Sequence, residues 1–193
     1  MKVIGITGMI GSGKTELLKN IEKRYNCRVY LADEIAADFQ KKGGACYDAM
    51  RQLLPGDCFD GDGNLDRKRT AERIFADDRL RTGLNKIIHP AVDKYIRQEI
   101  ETYRDSCDYI FVESAILLST SIRNICNETW YIYAREEVRY ERLKNGRDMD
   151  PENVRAILKK QPADEYMRKN CSWVIDNSDE MELTLQQTSL LLG

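Results

Sequence analysis

The run Gly8-Met9-Ile10-Gly11-Ser12-Gly13-Lys14-Thr15 fits the pattern G-x-x-x-x-G-K-[ST]. Its chemistry is phosphate binding. Glycines let successive backbone N–H groups converge on phosphate oxygens with no side chain in the way. A helix starting at the loop aims its positive end at the same anion. Lys14 is placed to offset charge at the β- and γ-phosphates, and the Thr15 hydroxyl to bind Mg²⁺. The expected nucleotide contacts are Gly8, Ile10, Gly11, Ser12, Gly13, Lys14, Thr15 and Glu16. A second chemical group is Asp33, which closes the apolar run Val29-Tyr30-Leu31-Ala32. A carboxylate at the carboxyl end of a strand can take a proton from an acceptor hydroxyl or hold Mg²⁺ through water. It can equally cap the helix that Glu34-Ile35-Ala36-Ala37 begins.

These groups need a scaffold. Five short β-rich runs stand out: Val3 to Thr7, Arg28 to Leu31, Tyr109 to Glu113, Trp130 to Tyr133, and Trp173 to Ile175. Each is nearly continuous in apolar character, as in strands covered on both faces. Helical patterns alternate with them, including Glu16 to Tyr25 and the amphipathic Ala91 to Tyr103. The alternation predicts an α/β fold with a mostly parallel sheet. Between the second and third strands lie about 75 residues with no convincing strand. They predict helices broken at Gly43-Gly44, Pro55-Gly56 and Asp60-Gly61-Asp62-Gly63. A second helical interval spans Glu136 to Met167.

Composition narrows the function. The 193 residues suit one domain. Thirty Lys and Arg against 32 Asp and Glu give a formal net charge of -2, without the basic excess of a general nucleic-acid binder. No apolar run approaches a membrane span or a signal peptide, so a cytoplasmic location is expected. The six cysteines form no CxxC and there is one histidine, which excludes a His-rich metal site. Asp60 to Ala71 begins like a calcium loop, but Leu65 stands where Gly is needed and Ala71 where Glu is needed. A GTPase would carry [NT]-K-x-D, which is absent, and motor ATPases are usually longer. Size and helical insertions favour a kinase that closes over its phosphates.

The chain resembles the dephospho-coenzyme A kinase family almost end to end. The likeness runs through Thr7 to Thr15, Ala32-Asp33-Glu34-Ile35-Ala36, Asp62-Gly63-Asn64-Leu65-Asp66-Arg67 and Glu72-Arg73-Ile74-Phe75-Ala76. It continues through Leu84-Asn85-Lys86-Ile87-Ile88-His89-Pro90 and Val174-Ile175-Asp176-Asn177-Ser178. The resemblance implies a P-loop kinase-like three-layer fold: a five-stranded parallel sheet, a helical CoA-binding insertion and a helical lid. Its parts would be a core of 1–33, 108–135 and 172–193, an acceptor insertion of 34–107, and a lid region of 136–171. It implies ATP and Mg²⁺, and phosphorylation of the ribose 3′-hydroxyl of dephospho-CoA with Asp33 as base.

The same resemblance makes Arg142 a lid arginine that stabilises the transferring phosphoryl group with Lys14. Arg147 stands one place from a second lid arginine. It brings Asn177 near adenine, and His89, Arg67 and Arg73 to the acceptor. Residue by residue, Arg139 and Lys144 read as members of i, i+3 ion pairs with Glu136 and Glu141. The chain departs from the family at Leu31, Ala115 and Ser119. Glu113, ending the third strand, can serve the metal or be a surface acid. A small-molecule substrate and a monomer are expected, with neither nucleic acid nor membrane as partner. Another small-molecule or nucleoside kinase, or a nucleotide-binding module without turnover, remains open.

Overall fold

A computed structural model of the chain describes residues 1–147, 151–159 and 161–193. Five strands form one parallel sheet: β1 (Lys2–Thr7), β2 (Cys27–Leu31), β3 (Tyr109–Glu113), β4 (Glu128–Tyr133) and β5 (Trp173–Asp176), in the order β2-β3-β1-β4-β5. Every strand lies within two residues of its predicted run. β1 is central, and its register sets Ile6 opposite Glu113 on one side and opposite Trp130 on the other. Ile4, Ile6, Ile110, Phe111, Trp130 and Ile132 are fully buried. That explains why these strands read as continuous apolar runs rather than alternating ones.

Two compact units divide the chain. One is Met1–Tyr30 with Thr102–Gly193; the other is Leu31–Glu101. The first holds the sheet, α1 (Lys14–Glu22), α6 (Glu136–Arg147), α7 (Pro151–Lys159), α8 (Asp164–Asn170) and α9 (Met181–Leu192). Among the described residues no helix is long and apolar enough to cross a membrane.

The unit Leu31–Glu101 carries α2 (Ala32–Phe39), α3 (Tyr47–Leu53), α4 (Arg67–Ala76) and most of α5 (Asp78–Thr102). Its core joins Cys46, Met50, Leu54, Cys58, Phe59 and Leu84. The Asp60–Asn64 stretch is a turn held by its own acid: Asp60 Oδ1 accepts from the N–H groups of Asp62 at 3.0 Å and Asn64 at 2.8 Å. Asp66 then caps α4, accepting from the Arg69 N–H at 3.0 Å.

Two helix boundaries differ from the sequence expectation. The helix expected from Ala91 starts at Asp78 instead and runs through Pro90. Pro90 forfeits one ladder bond, but Leu84, Val92, Ile96 and Ile100 stay on one buried stripe across it. Burying that stripe outweighs the lost bond, so His89-Pro90 lies within the helix. Asp33 is not an N-cap either. α2 begins two residues earlier than expected, the cap position falls on Leu31, and no side chain bonds that helix end. Asp33 sits in the first turn, exposed to solvent.

Candidate active site

The phosphate loop joins β1 to α1 and is built on backbone that only glycine adopts easily. Gly11 has φ +78° and Gly13 φ +86°. Space demands glycine too. A Cβ on Gly8 would stand 2.5 Å from the Ile132 carbonyl oxygen, and one on Gly13 would stand 2.3 Å from Asn177 Nδ2. The first bond inside α1 runs from the Leu17 N–H to the Gly13 carbonyl at 3.0 Å. The N–H groups of Gly13, Lys14, Thr15 and Glu16 therefore lie outside the helix ladder, which makes this end a site for an anion.

Lys14 reaches back over the loop. Its ammonium donates to the Gly8 carbonyl at 2.9 Å and lies 3.6 Å from Glu113 Oε1. Glu113 is 8% exposed, so it is a buried acid rather than a surface one. The register of β3 against β1 delivers it there. Thr15 is exposed in the first turn of α1. Among the described residues no three His, Cys, Asp or Glu side chains cluster as a metal cage. Mg²⁺ needs none: it keeps waters and takes oxygens from one or two protein groups and the phosphates. An exposed threonine hydroxyl and a carboxylate beside the loop lysine fit that donor set.

The loop is also braced from outside. Asn177 is 1% exposed; its Nδ2 donates to the Ser12 carbonyl at 2.7 Å, and its Oδ1 accepts from Thr184 Oγ1 at 2.9 Å. Both ends of the Asn177 amide are thus committed to positioning the loop. Arg142 Nη1 donates to the same Ser12 carbonyl at 3.4 Å, and burial pushes its guanidinium below its ordinary value. The Ile10 N–H donates to Gln161 Oε1 at 3.0 Å, and Ile10 packs against Leu143, Val154 and Leu158. The Ile10 group best able to meet a phosphate is therefore occupied by Gln161.

Sequence reasoning misses one of these braces and the burial of a neighbouring arginine. Nothing in the spacing marks Gln161. Arg139 makes the expected i, i+3 pair, with Glu136 Oε2 3.9 Å away, but at 6% exposed it is buried rather than solvated. Its position one turn before the buried Leu143 is the signal that it faces inward. The side chain of Arg147 lies outside the described residues.

The remaining candidates belong to the unit Leu31–Glu101. Asp33 and Arg67 are exposed. Arg67 borders an open cleft, about 290 Å³, with Ala37, Gln40, Leu65, Thr70 and Ile74. Arg73 is hydrogen-bonded to Asp57, which draws the Asp57 carboxyl below its ordinary value. His89 is half-buried within α5. The structure thus brings the loop residues together with Lys14, Arg142, Asn177 and Glu113, and places Asp33, Arg67, Arg73 and His89 in the other unit.

Comparison with known proteins gives this arrangement its family. A model of the dephospho-CoA kinase family matches residues 2–182. A dephospho-CoA kinase of Dehalococcoides mccartyi is 32% identical over 184 residues, covering 94% of this chain and 91% of the relative. A crystal structure from Thermus thermophilus superimposes with a TM-score of 0.84 at 26% identity, over 99% of this chain and 96% of that one. A dephospho-CoA kinase from Campylobacter jejuni shares the fold, with a TM-score of 0.63 at 17% identity over 98% and 95% of the two chains. With loop, strand order and family model in agreement along nearly its whole length, the chain belongs to the dephospho-CoA kinase family.

Proposed function

We propose that the chain transfers the γ-phosphoryl group of ATP to the ribose 3′-hydroxyl of dephospho-CoA, yielding CoA and ADP. The observation that carries the reading is the open first turn of α1 behind a glycine loop spanned by Lys14, in a member of this family. Gly8 and Gly11 to Glu16 hold the triphosphate, the Ile10 N–H being held by Gln161. Lys14 leaves its carbonyl partner for the β- and γ-phosphates and offsets the charge that builds on the transferring group. Arg142, already lodged at the loop, does the same from α6. When bound at Thr15, with Glu113 nearby, Mg²⁺ supplies a Lewis acid that polarises the phosphoryl oxygens.

Asp33 orients the acceptor hydroxyl and takes its proton. The 3′-oxygen forms the new bond to phosphorus, the bond from phosphorus to the bridging oxygen breaks, and its electron pair stays on ADP. The carboxylate suits this role because it is exposed and bonds no side chain among the described residues. The unit Leu31–Glu101 serves the acceptor, with Arg67, Arg73 and His89 as its contacts, and 136–171 serves as the lid. A cytoplasmic monomer completes the reading.

A coupled ADP assay tests it, with dephospho-CoA run against adenosine, other nucleosides and nucleoside monophosphates. Turnover should be confined to dephospho-CoA. Turnover on a nucleoside alone would replace the acceptor, and ATP binding without turnover on any of them would replace the enzyme by a binding module.

A further inference from the structure

Arg139 is a buried charge with almost nothing to answer it. Its Nε and Nη1 are out of contact with solvent and have no hydrogen-bond partner among the described residues. Its one ion pair among the described residues, to Glu136 Oε2, spans 3.9 Å and joins it to a carboxylate that is 71% exposed. The charge of Arg139 also acts on Tyr131, whose neighbouring carboxylate accepts its hydrogen bonds from other donors. Asp164 Oδ1 accepts from the Tyr131 hydroxyl at 2.9 Å, and its Oδ2 from Arg168 Nε at 2.6 Å. An unanswered buried guanidinium destabilises the free protein, since desolvation of the ion goes uncompensated.

Its location says what answers it. A Cβ built on Gly11 would stand 2.9 Å from the Arg139 carbonyl oxygen and 3.2 Å from its Cα and Cβ. The turn of α6 that bears Arg139 is therefore pressed directly on the phosphate loop. Arg142, one turn further on, already reaches the loop at Ser12. The polyanion this loop is built to hold would bring its charge to the loop that this turn abuts.

We propose that Arg139 is a positioning residue for the nucleotide: its buried and under-satisfied guanidinium, borne on the turn that abuts the loop, is a standing positive charge that the triphosphate compensates. It acts on the phosphates through the field rather than by touching them. In a low-dielectric surround such a field reaches further than in water. The free protein is less stable for carrying it, and the bound one more strongly stabilised. The inference rests on the loop being the ATP site.

The test compares Arg139→Met, which keeps length and loses charge, with Arg139→Lys, which keeps charge. Dissociation constants for ATP, ADP and adenosine are measured by calorimetry, alongside the melting temperature of each free protein. Arg139→Met should melt at or above the wild type, yet bind ATP about tenfold more weakly. The loss should shrink for ADP and vanish for adenosine, because it follows phosphate charge. Arg139→Lys should keep most of the ATP affinity.

A lower melting temperature with unchanged ATP affinity makes Arg139 structural and overturns the inference. So does an equal loss across all three ligands, which would report altered shape. Should Arg139→Met not fold, Arg139→Gln replaces it, and failure of both to fold also counts against the inference. If the wild type binds no ATP, the loop assignment itself falls. If the wild type binds it and Arg139→Met binds it as tightly, only the inference falls.

Discussion

Around the phosphate loop, polar groups are held by partners that are themselves buried or half-buried; in the unit Leu31–Glu101 the charged candidates stand in solvent. Ser12's carbonyl takes both Asn177 and Arg142, Ile10's N–H meets Gln161, and Lys14 lies between a carbonyl and a buried carboxylate. Asp33 and Arg67 have no comparable brace, and the one acid that holds Arg73, Asp57, is itself exposed. The difference follows from what each region must do. A triphosphate is met mostly by backbone N–H groups, so the backbone must be fixed before the ligand arrives. An acceptor can be met by long side chains that settle on binding, with the ordering cost met then.

If that contrast is right, the largest effect should come from the exposed residue that takes the proton. Asp33→Asn keeps size and removes the proton acceptor. General-base catalysis contributes roughly 10²–10⁴-fold, so kcat should fall by that order. ATP affinity and melting temperature should barely change, because the residue is exposed and bonds no other side chain among the described residues. Calorimetry, melting and steady-state kinetics on one preparation check all three. A kcat near wild type would remove Asp33 from the chemistry and leave the loop assignment standing.

Lys14→Met should cost about 10²–10³-fold in kcat, the usual loss for one group aimed at developing charge. Unlike Asp33→Asn, it should also lower the melting temperature. It leaves the 8%-exposed Glu113 without the ammonium 3.6 Å away, and a buried acid stripped of its cation is destabilising. Adding Glu113→Gln should restore much of the melting temperature and none of the rate. If Lys14→Met melts like the wild type, the brace around Lys14 carries no stability and the contrast between the regions weakens.

Two glycines sharpen the comparison at smaller scale. Gly13 has φ +86° and Gly43 φ +82°, so alanine bears about the same backbone cost at both, roughly 1–2 kcal/mol. Their surroundings differ. Nothing lies within 4 Å of a Cβ on Gly43, whereas one on Gly13 would meet Asn177 Nδ2 at 2.3 Å. Gly43→Ala should show the backbone cost alone in a denaturant titration. Gly13→Ala should cost more, because it also displaces a buried amide from the Ser12 carbonyl, and it should weaken ATP binding. Equal losses at the two sites would mean the brace yields freely.

This contrast also explains what is legible in the sequence. Backbone geometry restricts residue type, so Gly8, Gly11 and Gly13 announce themselves, and the three inner strands, buried on both faces, write apolar runs that the shorter, half-exposed edge strands echo. Asn177 and Arg142 are reachable only through resemblance to a family, since an amide or guanidinium bonding one carbonyl leaves no spacing pattern. Gln161 leaves no mark at all. Arg139 escapes because its charge and its i, i+3 acid suggest solvent, while the helical stripe it shares with Leu143 points inward. Asp33 stands out by type and place, yet it does not cap α2. Ala32 is already helical, and one or two residues at a helix end are the hardest feature to read from sequence. In the helical unit, Pro90 masks the continuity of α5 that its buried stripe maintains.

The smallest effect should come from comparing two arginines that the sequence reads alike. Arg67 and Arg73 are both exposed on α4 and both expected to meet acceptor phosphates. Only Arg73 already has an acid, Asp57, which its hydrogen bond holds below the ordinary carboxylate range. A guanidinium so engaged offers a phosphate less net charge than a free one. Arg67→Ala should therefore raise the KM for dephospho-CoA severalfold with kcat unchanged, and Arg73→Ala should raise it less. The pair also sets a weak pH dependence. Because the folded carboxyl of Asp57 is depressed, its contribution to stability is present above the unfolded carboxylate value, near 3.9, and is lost as pH falls through the lower folded one. Asp57→Asn should flatten the acid limb of the melting-temperature profile below about pH 4 and barely alter it at pH 7, since an exposed pair is largely screened. It should also release Arg73, so the KM for dephospho-CoA should fall slightly if Arg73 meets the acceptor. A KM that stays fixed in Asp57→Asn and in Arg73→Ala alike would confine Arg73 to fastening the turn at Asp57 onto α4, and leave Arg67 as the acceptor's arginine on that helix.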